Sequence, residues 1–137
     1  MPSVEKLLSD LDPKWHQSTP AVFSSPHSGR CYPLAFIRQS RLEAKTLRCS
    51  EDSFVDEIFS NAPIFGAPLI RALFPRAYVD ANREPFELDP KMFDSSLPNY
   101  VCTRSARIAA GLGTIPKVVA HGADIYAGPL QFEEVLE

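Results

Sequence analysis

The sequence predicts an α/β fold, and three observations carry that expectation. Short apolar runs closed by turn residues recur near residues 20–24, 69–73, 77–80 and 115–120, each the length of a buried strand. Between the first two lies a helical pattern, with Phe54, Val55, Ile58 and Phe59 at a three-to-four spacing. The strand-like runs also end in tight polar turns, which is where open α/β sheets place ligand sites. The expected architecture is a central mixed sheet flanked by helices, with Val22 and Val79 inside.

Taken in order, Val4, Leu7, Leu8 and Leu11 form a helical stripe that stops before Pro13, so residues 1–19 read as an N-terminal helix or arm. Trp15 and His16 follow with no assigned chemistry. Residues 20–137 read as the domain proper. Thr19–Ser25 is a short strand whose Val and Phe favour extended backbone. Pro33 suits the first turn of a short helix. Ser50 is placed to cap a helix over 51–62, with acidic residues in its first turn. Leu69–Phe74 and Ala77–Asp80 read as two strands parted by Pro75. Residues 86–105 form a long irregular connection, a length usually found in lids and binding loops. Ile115–Ala120 reads as a further strand, and the chain ends on the opening of a helix at Leu130–Glu137.

Composition narrows the function classes. Hydrophobic residues make up 45% of the 137 and charged residues 23%, an ordinary balance for a globular domain. No apolar run approaches the roughly 20 residues of a membrane helix, and the N-terminus lacks a secretory pattern. No membrane contact and a cytoplasmic location are therefore expected. Net charge is −3 with scattered Lys and Arg, which argues against nucleic acid because phosphate binding needs a basic face. Cys31, Cys49 and Cys102 have no Cys-x-x-Cys spacing and read as reduced thiols. Gly111-Leu112-Gly113 is too sparse for a dinucleotide fingerprint.

Three places hold candidate chemistry. His27 follows the first strand in Ser25-Pro26-His27-Ser28-Gly29, where Pro26 stiffens the turn and Gly29 admits backbone angles other residues resist. Histidine is the usual acid–base group near neutral pH and the commonest metal ligand, although one in a turn is also often a surface residue. Asp52 sits at a helix start from which it can point into a cleft, or equally be a solvated first-turn carboxylate. Asn82 and Arg83 end the run at Val79-Asp80. Arg83 is the local group able to grip a carboxylate with two prongs, and the plain alternative is a surface ion pair.

These stretches in this order resemble the N-formylglutamate amidohydrolases. The resemblance rests on Ser25-Pro26-His27-Ser28-Gly29, the acidic stretch with Asp52 and Val55, Val79-Asp80-Ala81-Asn82-Arg83, and Gly113-Thr114-Ile115-Pro116 leading to Ile125-Tyr126. It runs from about Pro20 to Leu130. It implies kinship with zinc carboxypeptidases and N-acyl amino acid deacylases, and hence a three-layer α/β/α fold around the mixed sheet. It also implies hydrolysis of N-formylglutamate to formate and glutamate. By the same resemblance, zinc would be held by His27 and Asp52, and the N-acyl amino acid by Asn82, Arg83 and Ser28. The carboxypeptidase pattern has a Glu three residues after its first His, where Arg30 stands here. Asp52 is therefore preferred over Glu51 and Asp56 as the acidic ligand. A later His-containing segment of the family has no counterpart, so the chain is expected to be either a truncated N-terminal part of the domain, leaving a surface open to self-association, or a shortened homologue. The third metal ligand and the general base stay unassigned.

Two other classes compete. The Ser28-Gly29-Arg30 amides could form a nest for a phosphate or carboxylate without chemistry. A Ser–His hydrolase through Ser25 or Ser28 is disfavoured by the absence of a nucleophile-elbow pattern.

Overall fold

A computed structural model of the chain describes residues 17–135. The expected N-terminal helix, Trp15 and His16 lie outside the described residues. Strands β1 (Phe23–Ser25) and β2 (Leu69–Arg71) pair in parallel, with Phe23 opposite Leu69 and Ser25 opposite Arg71. Among the described residues they form a two-stranded sheet. The chain also forms short helices: α1 (Leu34–Gln39), α2 (Ala44–Leu47), α3 (Val55–Ile58), α4 (Ala106–Ala109) and α5 (Phe132–Val135). The result is an α/β arrangement with a small open parallel sheet, smaller than the mixed sheet expected.

The runs at 77–80 and 115–120 are not strands. The Tyr78 and Val79 amides both donate to the Pro75 carbonyl, which makes that run a turn. Within 115–120 the ladder shrinks to one antiparallel bridge, Val118 to Asp124. Both runs are apolar for burial alone. Ala77 and Val119 join Phe36, Leu47 and Ile125 in one apolar cluster, and Ile115 joins Leu88, Met92, Phe93, Val101, Leu130 and Phe132 in another. Val79 packs partly buried against the second cluster, while Val22 is 53% exposed, against expectation. The 86–105 connection is not a lid, because Leu88, Met92, Phe93 and Val101 build that same cluster.

The helix expected over 51–62 contracts to α3. Phe54 stands before it at φ 66°, a left-handed conformation unfavourable for an aromatic residue, so the helix cannot extend back to Ser50. Pro33 precedes α1 as its cap residue. The cysteines are free and exposed. No helix among the described residues is long and apolar enough to cross a membrane.

Candidate active site

The loop after β1 is fixed by backbone packing. Cys31 donates its amide to the Leu73 carbonyl at 2.9 Å, so the segment Gly29–Cys31 lies flat on the end of β2. A Cβ on Gly29 would stand 2.1 Å from the Phe74 carbonyl oxygen. Only glycine permits that approach. Ser25 and Ser28 share a 2.6 Å hydrogen bond beneath the loop, and Ser28 is fully buried. The Ser28 hydroxyl is thus engaged by Ser25, and the Leu73 and Phe74 carbonyls pack against the Gly29–Cys31 backbone.

The loop delivers His27, 7% exposed, between two carboxylates. Its Nε2 lies 2.7 Å from Oδ1 of Asp80, and its Nδ1 lies 3.4 Å from Oδ2 of Asp52. Asp52 reaches this position because its amide donates to the His27 carbonyl at 3.0 Å, which ties the two backbones together. It precedes α3 rather than opening it. The alternative acids are engaged elsewhere. Glu51 accepts from the Tyr32 hydroxyl at 2.7 Å and pairs with Arg48, and buried Asp56 bridges Arg30 at 2.9 Å and Arg71 at 3.3 Å.

Asp80 is the anchor. It is 2% exposed and gathers His27, the Asn82 amide at 3.0 Å, Arg76 Nε at 3.1 Å and Arg83 Nη2 at 3.2 Å. Burial opposes its ionisation. The hydrogen bonds from His27 and the Asn82 amide, with the charges of His27 and Arg76, outweigh that and hold the carboxyl below the usual carboxylate range. An ionised Asp80 only accepts, so His27 must donate through Nε2. A neutral ring then turns a lone pair toward Asp52. With the ring neutral, Nδ1 and Oδ2 at 3.4 Å are two acceptors that a shared proton or cation would bridge.

Arg83 does not stand across a cleft. Besides Asp80 it donates to the Leu112 carbonyl from Nε at 3.0 Å and to the Asn82 carbonyl from Nη1 at 2.9 Å. The guanidinium thus closes the Asp80 turn, and Asn82 lies exposed beside it. The cation that sequence reasoning missed is Arg76. It bonds Asp80 through Nε and lines a cavity of about 490 Å³ together with Asp52, Ser50, Leu112 and Pro116. Its spacing of four residues before Asp80 was the available signal, hidden because the run was read as a strand, where i and i+4 side chains do not meet.

Among the described residues, no group of three or more His, Cys, Asp or Glu side chains is placed to hold a metal ion. The 3.4 Å edge between Nδ1 and Oδ2 nevertheless equals the separation of two ligands each about 2.1 Å from a tetrahedral centre. Asp80 behind the ring supplies the carboxylate–histidine support that metal-bound imidazoles have. The residues fit two places of a zinc site.

The model of the N-formylglutamate amidohydrolase family matches residues 19–137. The crystal structure of an N-formylglutamate amidohydrolase from Ralstonia eutropha JMP134 superposes with a TM-score of 0.76 at 33% identity. That match covers 85% of this chain and 41% of the other, so the chain spans about two-fifths of its neighbour's length. No curated protein sequence matches it.

Proposed function

The chain belongs to the N-formylglutamate amidohydrolase family, and from that membership we propose that its site serves zinc-assisted hydrolysis of N-formylglutamate to formate and glutamate. The observation that carries the reading is the His27–Asp52 edge backed by buried Asp80. His27 Nδ1 and Asp52 Oδ2 would hold the ion, with a further ligand from outside this pair. The chemistry zinc would supply when held there is an activated water near neutral pH and polarisation of the formyl carbonyl.

The chain's own residues prepare the rest. Asp80 fixes the tautomer and direction of the His27 ring. Arg83 and the Asn82 amide hold Asp80, so they act on the site through it. Arg76 presents its guanidinium to the same cavity as Asp52, where it would take a carboxylate of the substrate and orient the amide. Kinship with zinc carboxypeptidases belongs to the same proposal, resting on the histidine and the Asp80-x-Asn82-Arg83 run.

The test is formate release from N-formylglutamate in zinc-containing buffer, with the chain joined to the part of the Ralstonia protein that it does not match. His27→Ala is expected to bring hydrolysis to background, and Asp80→Asn to lower it by about 10–100-fold. Hydrolysis unaffected by His27→Ala would contradict the proposal.

A further inference from the structure

Backbone bonds bring three segments together beside the candidate site. Val118 and Asp124 form an antiparallel bridge, and the Ile125 amide donates to the Lys117 carbonyl at 2.8 Å. The Lys117 amide donates to the Gly111 carbonyl at 2.9 Å, and the Leu130 amide to the Met92 carbonyl at 2.7 Å. These segments wall a cavity of about 650 Å³ lined by Lys91, Arg104 and Lys117 together with Asp89 and Asp124. A second cavity of about 250 Å³ shares Lys91, Lys117 and Asp124 with the first and adds Arg41. None of these four cations forms an ion pair among the described residues, whereas Arg30, Arg48, Arg71, Arg76, Arg83 and Arg107 all do. Four cations therefore face two carboxylates, and one oxygen of Asp89 already accepts from the Lys91 amide at 3.0 Å. The joined cavities carry an excess of two positive charges in a chain whose net charge is −3.

We propose that the joined cavities bind a small organic dianion at a site separate from the His27–Asp52 pair. The charge excess matches two negative charges, and lysine and arginine without partners are the groups that take carboxylates and phosphates through charge-assisted hydrogen bonds. The volume suits a small molecule. No aromatic ring lines the larger cavity, so it offers no face on which a nucleobase could stack. Its position gives the site a use. The cavity lined by Asp52 and Arg76 shares Ala110 and Val118 with it, so a bound dianion would wait next to the candidate catalytic cavity. A dicarboxylate such as N-formylglutamate and a phosphomonoester share the required chemistry. The site stands on its own cations and is independent of whether His27 and Asp52 bind metal.

The experiment titrates the chain, free of zinc and at low salt, with N-formylglutamate, with glycerol phosphate above its second pKa, and with acetate as a single-charge control, following backbone amide shifts. One of the two dianions should saturate shifts at Lys91, Arg104 and Lys117, at least about tenfold more tightly than acetate. Lys117→Ala, at the junction of the cavities, should weaken that binding at least about tenfold, and Arg104→Ala about threefold. Arg38→Ala, an exposed and unpaired cation outside both cavities, should leave it unchanged. Tighter binding of N-formylglutamate identifies the ligand as a dicarboxylate, and tighter binding of glycerol phosphate as a phosphate ester. Shifts confined to Asp52 and Arg76 would place the anion in the catalytic cavity alone and overturn the proposal. Acetate bound as tightly as either dianion, or equal affinity in Lys117→Ala and Arg38→Ala, would overturn it as well. Shifts at Lys117 that persist while formate release fails would count against the proposed reaction and leave this site standing.

Discussion

Residues 32–47 and 77–135 enclose two apolar clusters, whereas residues 19–31 and 50–74, which carry the sheet, contribute no member to either. The second region is held differently. Backbone pairing joins β1 to β2, and Asp56, 6% exposed, ties Arg30 to Arg71 across it. The candidate site lies on the seam. His27 comes from the sheet region and Asp80 from the clustered one, 53 residues apart in sequence. The difference teaches that chemistry can be positioned by polar bonds where apolar cover is missing, and that stability and site geometry are separable here.

Core truncation gives the widest contrast between the regions. Phe36→Ala, at a fully buried ring, should cost about 3–5 kcal/mol in urea unfolding. Ile70→Ala, in the centre of β2, should stay within about 0.5 kcal/mol because its side chain is already in solvent. Comparable losses at both positions would erase the distinction.

The seam comes next. Gly29→Ala should cost about 1–3 kcal/mol, since the added methyl must displace the backbone of Leu73 and Phe74. Removal of the Asp80 proton is also linked to folding. Its folded pKa lies below the unfolded value of about 3.9, so its contribution is present above that pH and lost as pH falls through the folded value. Acid unfolding of wild type should therefore be steeper below about pH 4 than that of Asp80→Asn.

The smallest effect concerns salt. Arg30 is partly exposed where it meets Asp56 and Glu57, so raising salt to 1 M should weaken the sheet region only slightly, by screening these pairs. Amide exchange should quicken at Ser24 and Ile70 while staying unchanged at Ile125, the latter buried in an apolar cluster.

Much of this arrangement was legible in the sequence because local chemistry dictated it. Pro26 and Gly29 enforce the turn after β1, and the expected runs at 20–24 and 69–73 contain the strands Phe23–Ser25 and Leu69–Arg71 in part. The runs at 77–80 and 115–120 misled because apolar patterning reports burial, which packed turns share with strands. Helix 51–62 failed at its start on Phe54, whose left-handed backbone no propensity rule marks, and its end came early, at Ile58. Within the site, His27, Asn82 and Arg83 were named from their positions at turns and Asp52 from its place at an expected helix start. The role of Asp80 was not legible because it depends on His27, 53 residues away, whereas Arg76 was hidden by the reading of 77–80 as a strand. The inward turn of Arg83 follows from an unpredictable partner, the Leu112 carbonyl 29 residues away.

The measurement closest to the central claim is zinc affinity by chelator competition. The chain should bind zinc, with the affinity falling at least tenfold in both His27→Ala and Asp52→Ala and remaining unchanged in Asp124→Ala, an exposed acid away from the pair. The double variant should lose little more than either single one, because the two ligands serve one ion. Zinc held with equal affinity by wild type, His27→Ala and Asp52→Ala would contradict the assignment of a shared metal to this pair.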